Sequence, residues 1–161
     1  MLTPVKTKTS HAVRGTFAIV ASRYNARYVD AMLRAAKAAL SQVGAKAKII
    51  RVPGAYEIPV VAAKLARLSA DDEPLSGIIC LGVILRGETV HAAHIGEAVS
   101  HALMRIQLEH EIPVIHEVLL LENVAQAEKR CLDTRHNRGA EAAQTALEMA
   151  RVMKDLNTGE S

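Results

Sequence analysis

The hexamer Arg86-Gly87-Glu88-Thr89-Val90-His91 is the part of the chain richest in groups that can do chemistry. It joins an apolar run to an amphipathic one. Free backbone N–H groups and the positive end of a helix dipole are therefore expected to face a bound anion there. Gly87 lets the backbone approach a ligand and Thr89 adds a hydroxyl, which together would make a phosphate cradle. The same residues would also serve as an ordinary capped helix start. His91 opens the helix, where the dipole favours the neutral ring, a form suited to taking and returning a proton. A lone His is more often structural, so spacing alone leaves both roles open.

A second chemical stretch follows Leu121, where Lys129-Arg130 and Arg135-His136-Asn137-Arg138 gather positive charge. It reads either as a solvated charged face or, through Arg130, as a bidentate grip on phosphate. His91, His94 and Glu97 are spaced by three and drift around a helix, with no H-E-x-x-H or Cys cluster to support a metal. No metal site is expected. A dinucleotide-type G-x-G-x-x-G after the first strand and a phosphate-loop G-x-x-x-x-G-K-[ST] are both missing.

The elements that must position these groups alternate regularly. Thr16 to Ala21, Lys46 to Val52, Gly77 to Leu85 and Ile112 to Leu121 are short, largely apolar runs that read as strands. Tyr28 to Val43, Glu57 to Leu68, His91 to His110 and Arg138 to Leu156 carry helical stripes. Strands apolar on both faces, separated by helices, predict a four-stranded parallel sheet in a three-layer α/β/α sandwich of flavodoxin-like type. In such folds ligands bind beyond the carboxyl ends of the strands. That rule selects Ser22 to Asn25, Pro53 to Glu57, Arg86 to His91, and the segment after Leu121.

Composition limits the function classes. A chain of 161 residues fits a single domain, expected over residues 16–156, with a flexible lead-in at 1–15 and a short tail at 157–161. The net charge of +3 and the lack of a basic stripe with interleaved aromatics argue against a nucleic-acid partner. No apolar run approaches the ~18 residues of a membrane span. With two isolated cysteines, Cys80 and Cys131, the expectation is a reduced, cytoplasmic protein. One Phe and three Tyr are the whole aromatic complement, so the core must be aliphatic.

Taken in order, the loops resemble the 6,7-dimethyl-8-ribityllumazine synthase family. The likeness rests on Ser22-Arg23-Tyr24-Asn25, Val52-Pro53-Gly54-Ala55-Tyr56-Glu57-Ile58-Pro59, Leu85 to His91, Ile112-Pro113-Val114-Ile115, Glu122-Asn123 with Gln126-Ala127 and Arg130, and Asn137-Arg138-Gly139. The resemblance implies condensation of a ribitylamino-pyrimidinedione with a dihydroxybutanone phosphate, without metal or redox cofactor. It places Tyr24 as the ring-stacking aromatic, Asn25, Gly54, Ala55 and Glu57 along the pyrimidine and ribityl chain, and His91 as the proton-transfer group. It places Gly87, Glu88, Thr89, Arg130 and Arg138 at the phosphate. His116 stands where the family usually has a Phe closing the pyrimidine pocket, and Glu117 where Gly is common. That pair either tunes ligand affinity or substitutes one flat ring for another. It also keeps open a paralogue that binds flavin or lumazine with little turnover. The resemblance further implies sites shared between neighbouring subunits, in pentamers or in pentamers paired into decamers.

Overall fold

Side-chain alternation along the first strand decides the architecture. In β1 (Thr16–Ser22), Phe17, Ile19 and Ala21 join one apolar cluster while Ala18 and Val20 join another. Both faces of the strand must therefore be covered. The computed structural model, which describes residues 15–71 and 74–159, shows how. Helices α1 (Ala26–Gln42) and α5 (Arg138–Thr158) lie on the first face, α2 (Ile58–Ser69) and α3 (His91–His110) on the second. Between them β1, β2 (Lys46–Val52), β3 (Gly77–Leu85) and β4 (Val114–Leu121) form one all-parallel sheet in the order β2-β1-β3-β4. This is the expected three-layer flavodoxin-like sandwich. Most of the expected lead-in, residues 1–14, lies outside the described residues.

Two glycines set how closely the layers approach. At Gly139 a Cβ would collide with the carbonyl of Met32, so only glycine allows α5 to cross α1 this tightly. At Gly82 a Cβ would press on Val118 and Ile58, at 3.1 and 3.2 Å. The bare backbone there lets the start of α2 settle on the sheet and fixes the loop just before it.

The sheet ends in a step. Ala21 pairs with Leu81, so β1 finishes opposite Gly82, while β3 continues to Leu85 and β4 to Leu121 beside it. Three further residues carry β3 about 10 Å past the end of β1. That overhang becomes the wall of a cleft.

Several boundaries differ from the sequence reading. A 3-10 turn, Ala55–Glu57, precedes α2, which begins at Ile58 and not at Glu57. β4 starts at Val114, because Pro113 has no N–H to give and serves the ladder only through its carbonyl, which accepts from Ile78 at 2.8 Å. α5 runs to Thr158, two residues beyond the Leu156 expected, and ends at Gly159 in the left-handed region. The segment after β4 holds a short helix the sequence reading passed over, α4 (Val124–Ala127), and a π-helical turn (Glu128–Leu132). Its signal was legible: Asn123 accepts from the Gln126 N–H at 2.9 Å, and the Gln126 side chain accepts from the Glu122 N–H at 2.9 Å.

Candidate active site

The step in the sheet encloses a cleft of about 1010 Å³, large enough for a substrate of drug size. Its floor and one wall are Val83, Ile84 and Leu85 from the overhanging end of β3, with Ile95 from α3. These apolar residues were read from sequence as core; only the register of β3 against β1 shows that they face a ligand space. Of the site residues expected from the sequence, Tyr24, Asn25, Gly54, Ala55, Glu57, Gly87, Thr89 and His91 all line this cleft.

The first loop is held by its backbone. Arg23 and Tyr24 donate their N–H groups to the carbonyls of Val52 and Pro53 at 2.8 and 3.0 Å. Asn25 takes a left-handed conformation (φ 57), which Asn tolerates better than most residues, and its side-chain amide donates to the Val83 carbonyl at 2.7 Å. Asn25 thus ties the β1 loop to β3 and presents the Tyr24 ring to the cleft. That ring is 73% exposed and free to stack on a planar ligand.

The second loop is braced by its own carboxylate. The Gly54 N–H donates to Glu57 Oε2 at 2.9 Å, which closes the 3-10 turn and fixes the Glu57 side chain at the cleft edge. Its other oxygen remains an acceptor for hydroxyl groups.

The third loop leaves β3 through Arg86, whose N–H donates to the Leu121 carbonyl at 2.8 Å and whose guanidinium pairs with Glu122 at 2.9 Å. Arg86 therefore clamps the two strand ends. Gly87 has no neighbour within 4 Å of where a Cβ would be, so the turn is open on its outer side. Thr89 Oγ1 accepts from the His91 N–H at 3.4 Å, and Glu88 is exposed in the same turn without lining the cleft. His91 begins α3, exposed, beside the N-terminal amides of that helix.

The remaining candidates lie elsewhere. His116 is on β4, an edge strand, and Arg130 is on the π-helical turn; neither lines the cleft. Arg130 forms no ion pair among the described residues. Arg138 behaves differently. Its Nε and Nη2 donate to the two oxygens of Glu117 at 3.1 and 2.9 Å, and Nη1 donates to Glu141 at 2.9 Å. All three nitrogens of the guanidinium are thus engaged by carboxylates of the same chain. Glu117 is buried, and burial pushes its carboxyl up to about 7 against the pull of Arg138. The neighbouring Cys131 thiol is raised to about 11, again chiefly by burial, and is no nucleophile.

The chain thus carries two separate sets of candidate groups: Tyr24, Glu57 and His91 at the cleft, and His116 and Arg130 away from it. Among the described residues, no helix is long and apolar enough to cross a membrane.

Comparison with known proteins gives the family. The family model described as 6,7-dimethyl-8-ribityllumazine synthase matches residues 14–154. A protein of that name from Stenotrophomonas maltophilia is 41% identical over 143 residues, covering 87% of this chain and 90% of its own. Namesakes from Xanthomonas oryzae pv. oryzae and Xylella fastidiosa are 40% and 38% identical over the same shares. The chain belongs to the 6,7-dimethyl-8-ribityllumazine synthase family.

Proposed function

We infer that this protein condenses a ribitylamino-pyrimidinedione with a four-carbon dihydroxybutanone phosphate, giving 6,7-dimethyl-8-ribityllumazine and releasing phosphate and water. The observation that carries the reading is the convergence of Tyr24, Glu57, Thr89 and His91 on one cleft. Each supplies what a different part of the reaction needs.

Tyr24 stacks on the pyrimidine, Gly54 and Ala55 pass along the ribityl chain, and Glu57 accepts hydrogen bonds from its hydroxyls. The pyrimidine amine attacks the ketone and loses water to give an imine; phosphate is then eliminated, and the ribitylamino nitrogen closes the ring with loss of a second water. Protons must move at every stage, and of the two imidazoles at the cleft, His91 and His94, we assign that work to His91 at the start of α3. The Gly87–Thr89 turn and the helix amides receive the phosphate, whose charge Arg130 neutralises as it leaves. Holding two substrates in register supplies a large part of the acceleration.

Arg130 and His116 reach the cleft only from a neighbouring copy. A ring of protomers, each offering its β4 side to the next one's cleft, would complete every site, and pentamers, or decamers made of paired pentamers, are the assemblies we assign. Support comes from large apolar side chains left exposed on one protomer, among them Val90, Met104 and Leu108. Residues 16–156 act as a single catalytic domain, and the two buried free thiols suit the cytoplasm. The test is turnover with both substrates, followed by the absorbance of the lumazine. Product forming no faster than in the spontaneous reaction would overturn the assignment in favour of a ligand-binding role.

A further inference from the structure

His116 is fixed by a hydrogen-bond chain whose direction is determined at every link. The backbone N–H of Val118 lies 3.2 Å from His116 Nδ1 and can only donate, so Nδ1 carries a lone pair. In the neutral ring the proton then sits on Nε2, 2.7 Å from Ser100 Oγ. Ser100 in turn donates its hydroxyl proton to the Gly96 carbonyl at 2.8 Å, which leaves its lone pair to accept from His116. Partial burial lowers the proton affinity of the imidazole, in keeping with a ring that stays neutral. Both nitrogens are occupied by protein groups. What remains for a ligand is the flat face and the carbon edge of the ring.

We propose that Ser100 is a positioning residue that holds His116 as a neutral, face-presenting wall of the pyrimidine pocket. The proposal rests on the split-site reading, in which His116 closes the cleft of the neighbouring copy. An imidazole free to turn about its own axis would offer a nitrogen to the pyrimidine or to water. Pinned at Nε2 from α3 and at Nδ1 from its own strand, it serves as a stacking surface and takes no part in proton transfer. Ser100 does this from helix α3, the helix that carries His91 at its start.

The experiment compares the assembled wild type with Ser100→Ala, Ser100→Thr and His116→Phe, and with Ser100→Ala combined with His116→Phe. In protein labelled with 15N at His, assigned by the signal missing from His116→Phe, the His116 Nε2 proton should be protected from solvent exchange, and Ser100→Ala should abolish that protection. Ser100→Ala should raise KM for the pyrimidine about five-fold, the effect of losing one neutral hydrogen bond. Neither kcat nor KM for the phosphate ketone should change, and Ser100→Thr should restore the wild-type value. In the His116→Phe background the same Ser100→Ala change should do nothing, because a benzene ring has no N–H to hold. An exchange-labile Nε2 proton in the wild type, or an equal KM effect in the Phe background, would overturn the proposal. A protected proton with unchanged pyrimidine KM in Ser100→Ala would overturn it through its premise, by removing His116 from the substrate pocket.

Discussion

Replacing Arg138 by Ala separates two roles open to one guanidinium, a grip on substrate phosphate and a clamp on a buried carboxylate. The structure favours the clamp, since Glu117 is 6% exposed and meets Arg138 with both oxygens. The size of the effect follows from Glu117 titration. Its carboxyl sits at about 7 in the folded protein against an ordinary value of 4.5. The folded state therefore binds more protons than the unfolded one between these limits, and the contribution of Glu117 to stability falls as pH rises through that window. Without Arg138 the carboxyl binds its proton more tightly still, so the window extends above 7. At pH 6 Glu117 is protonated with or without Arg138, and the variant should lose only the hydrogen bonds, about 1.5 kcal/mol. Above pH 7 the gap should widen by about 1.4 kcal/mol per unit, to about 3 kcal/mol at pH 8. Urea midpoints at pH 6 and pH 8, at one fixed protomer concentration, measure this directly. Glu117→Gln in the same background should remove the pH-dependent part. An equal loss at both pH values, or one that Glu117→Gln leaves untouched, would refute the clamp. Unchanged stability with a raised KM for the phosphate substrate would return Arg138 to the phosphate site.

Three other substitutions test separate parts of the account. His91→Ala should lower kcat by about a hundred- to ten-thousand-fold while KM for both substrates changes little; a kcat within a factor of a few of wild type would remove His91 from proton transfer. Arg130→Ala should raise KM for the phosphate substrate by about ten- to a hundred-fold, as expected for a charge-assisted contact, and leave the pyrimidine KM unchanged. Gly139→Ala drives a Cβ into the Met32 carbonyl and should destabilise the protein by about 1–3 kcal/mol or more, read as a lower thermal midpoint. An unchanged midpoint would mean that α1 and α5 are not packed as described.

The sheet was legible from sequence because its two central strands, β1 and β3, are apolar on both faces, the pattern of a covered parallel sheet. Runs such as Phe17 to Ala21 and Ile78 to Leu85 left little choice. The cleft loops were legible because strand ends in such a fold are where ligands bind, and His91 because it opens a helix there; Tyr24 and Glu57 stand out within their loops only through the family resemblance. Register was not legible: nothing local in Val83-Ile84-Leu85 says that it overhangs β1. The partner of Arg138 was hidden for a similar reason, since Glu117 lies 21 residues away and reaches it only through the packing of α5 on β4. Ser100 is not legible in sequence, because a helical Ser has many roles and its tie to His116 exists only where α3 crosses the edge strand. Helix α4, by contrast, was missed despite its Asn123 and Gln126 capping signal, since four residues are too few to show a periodicity.

The proposed catalytic centre combines His91 of one protomer with Arg130 of its neighbour. Subunit complementation tests it most directly. His91→Ala and Arg130→Ala proteins are unfolded together, reassembled in equal amounts, and assayed for lumazine formation with the phosphate substrate below its wild-type KM, where each is impaired alone. Random assembly around a ring leaves one interface in four with both residues intact, so roughly a quarter of wild-type activity should return. Activity no higher than the mean of the two variants reassembled separately would contradict a site shared between neighbours.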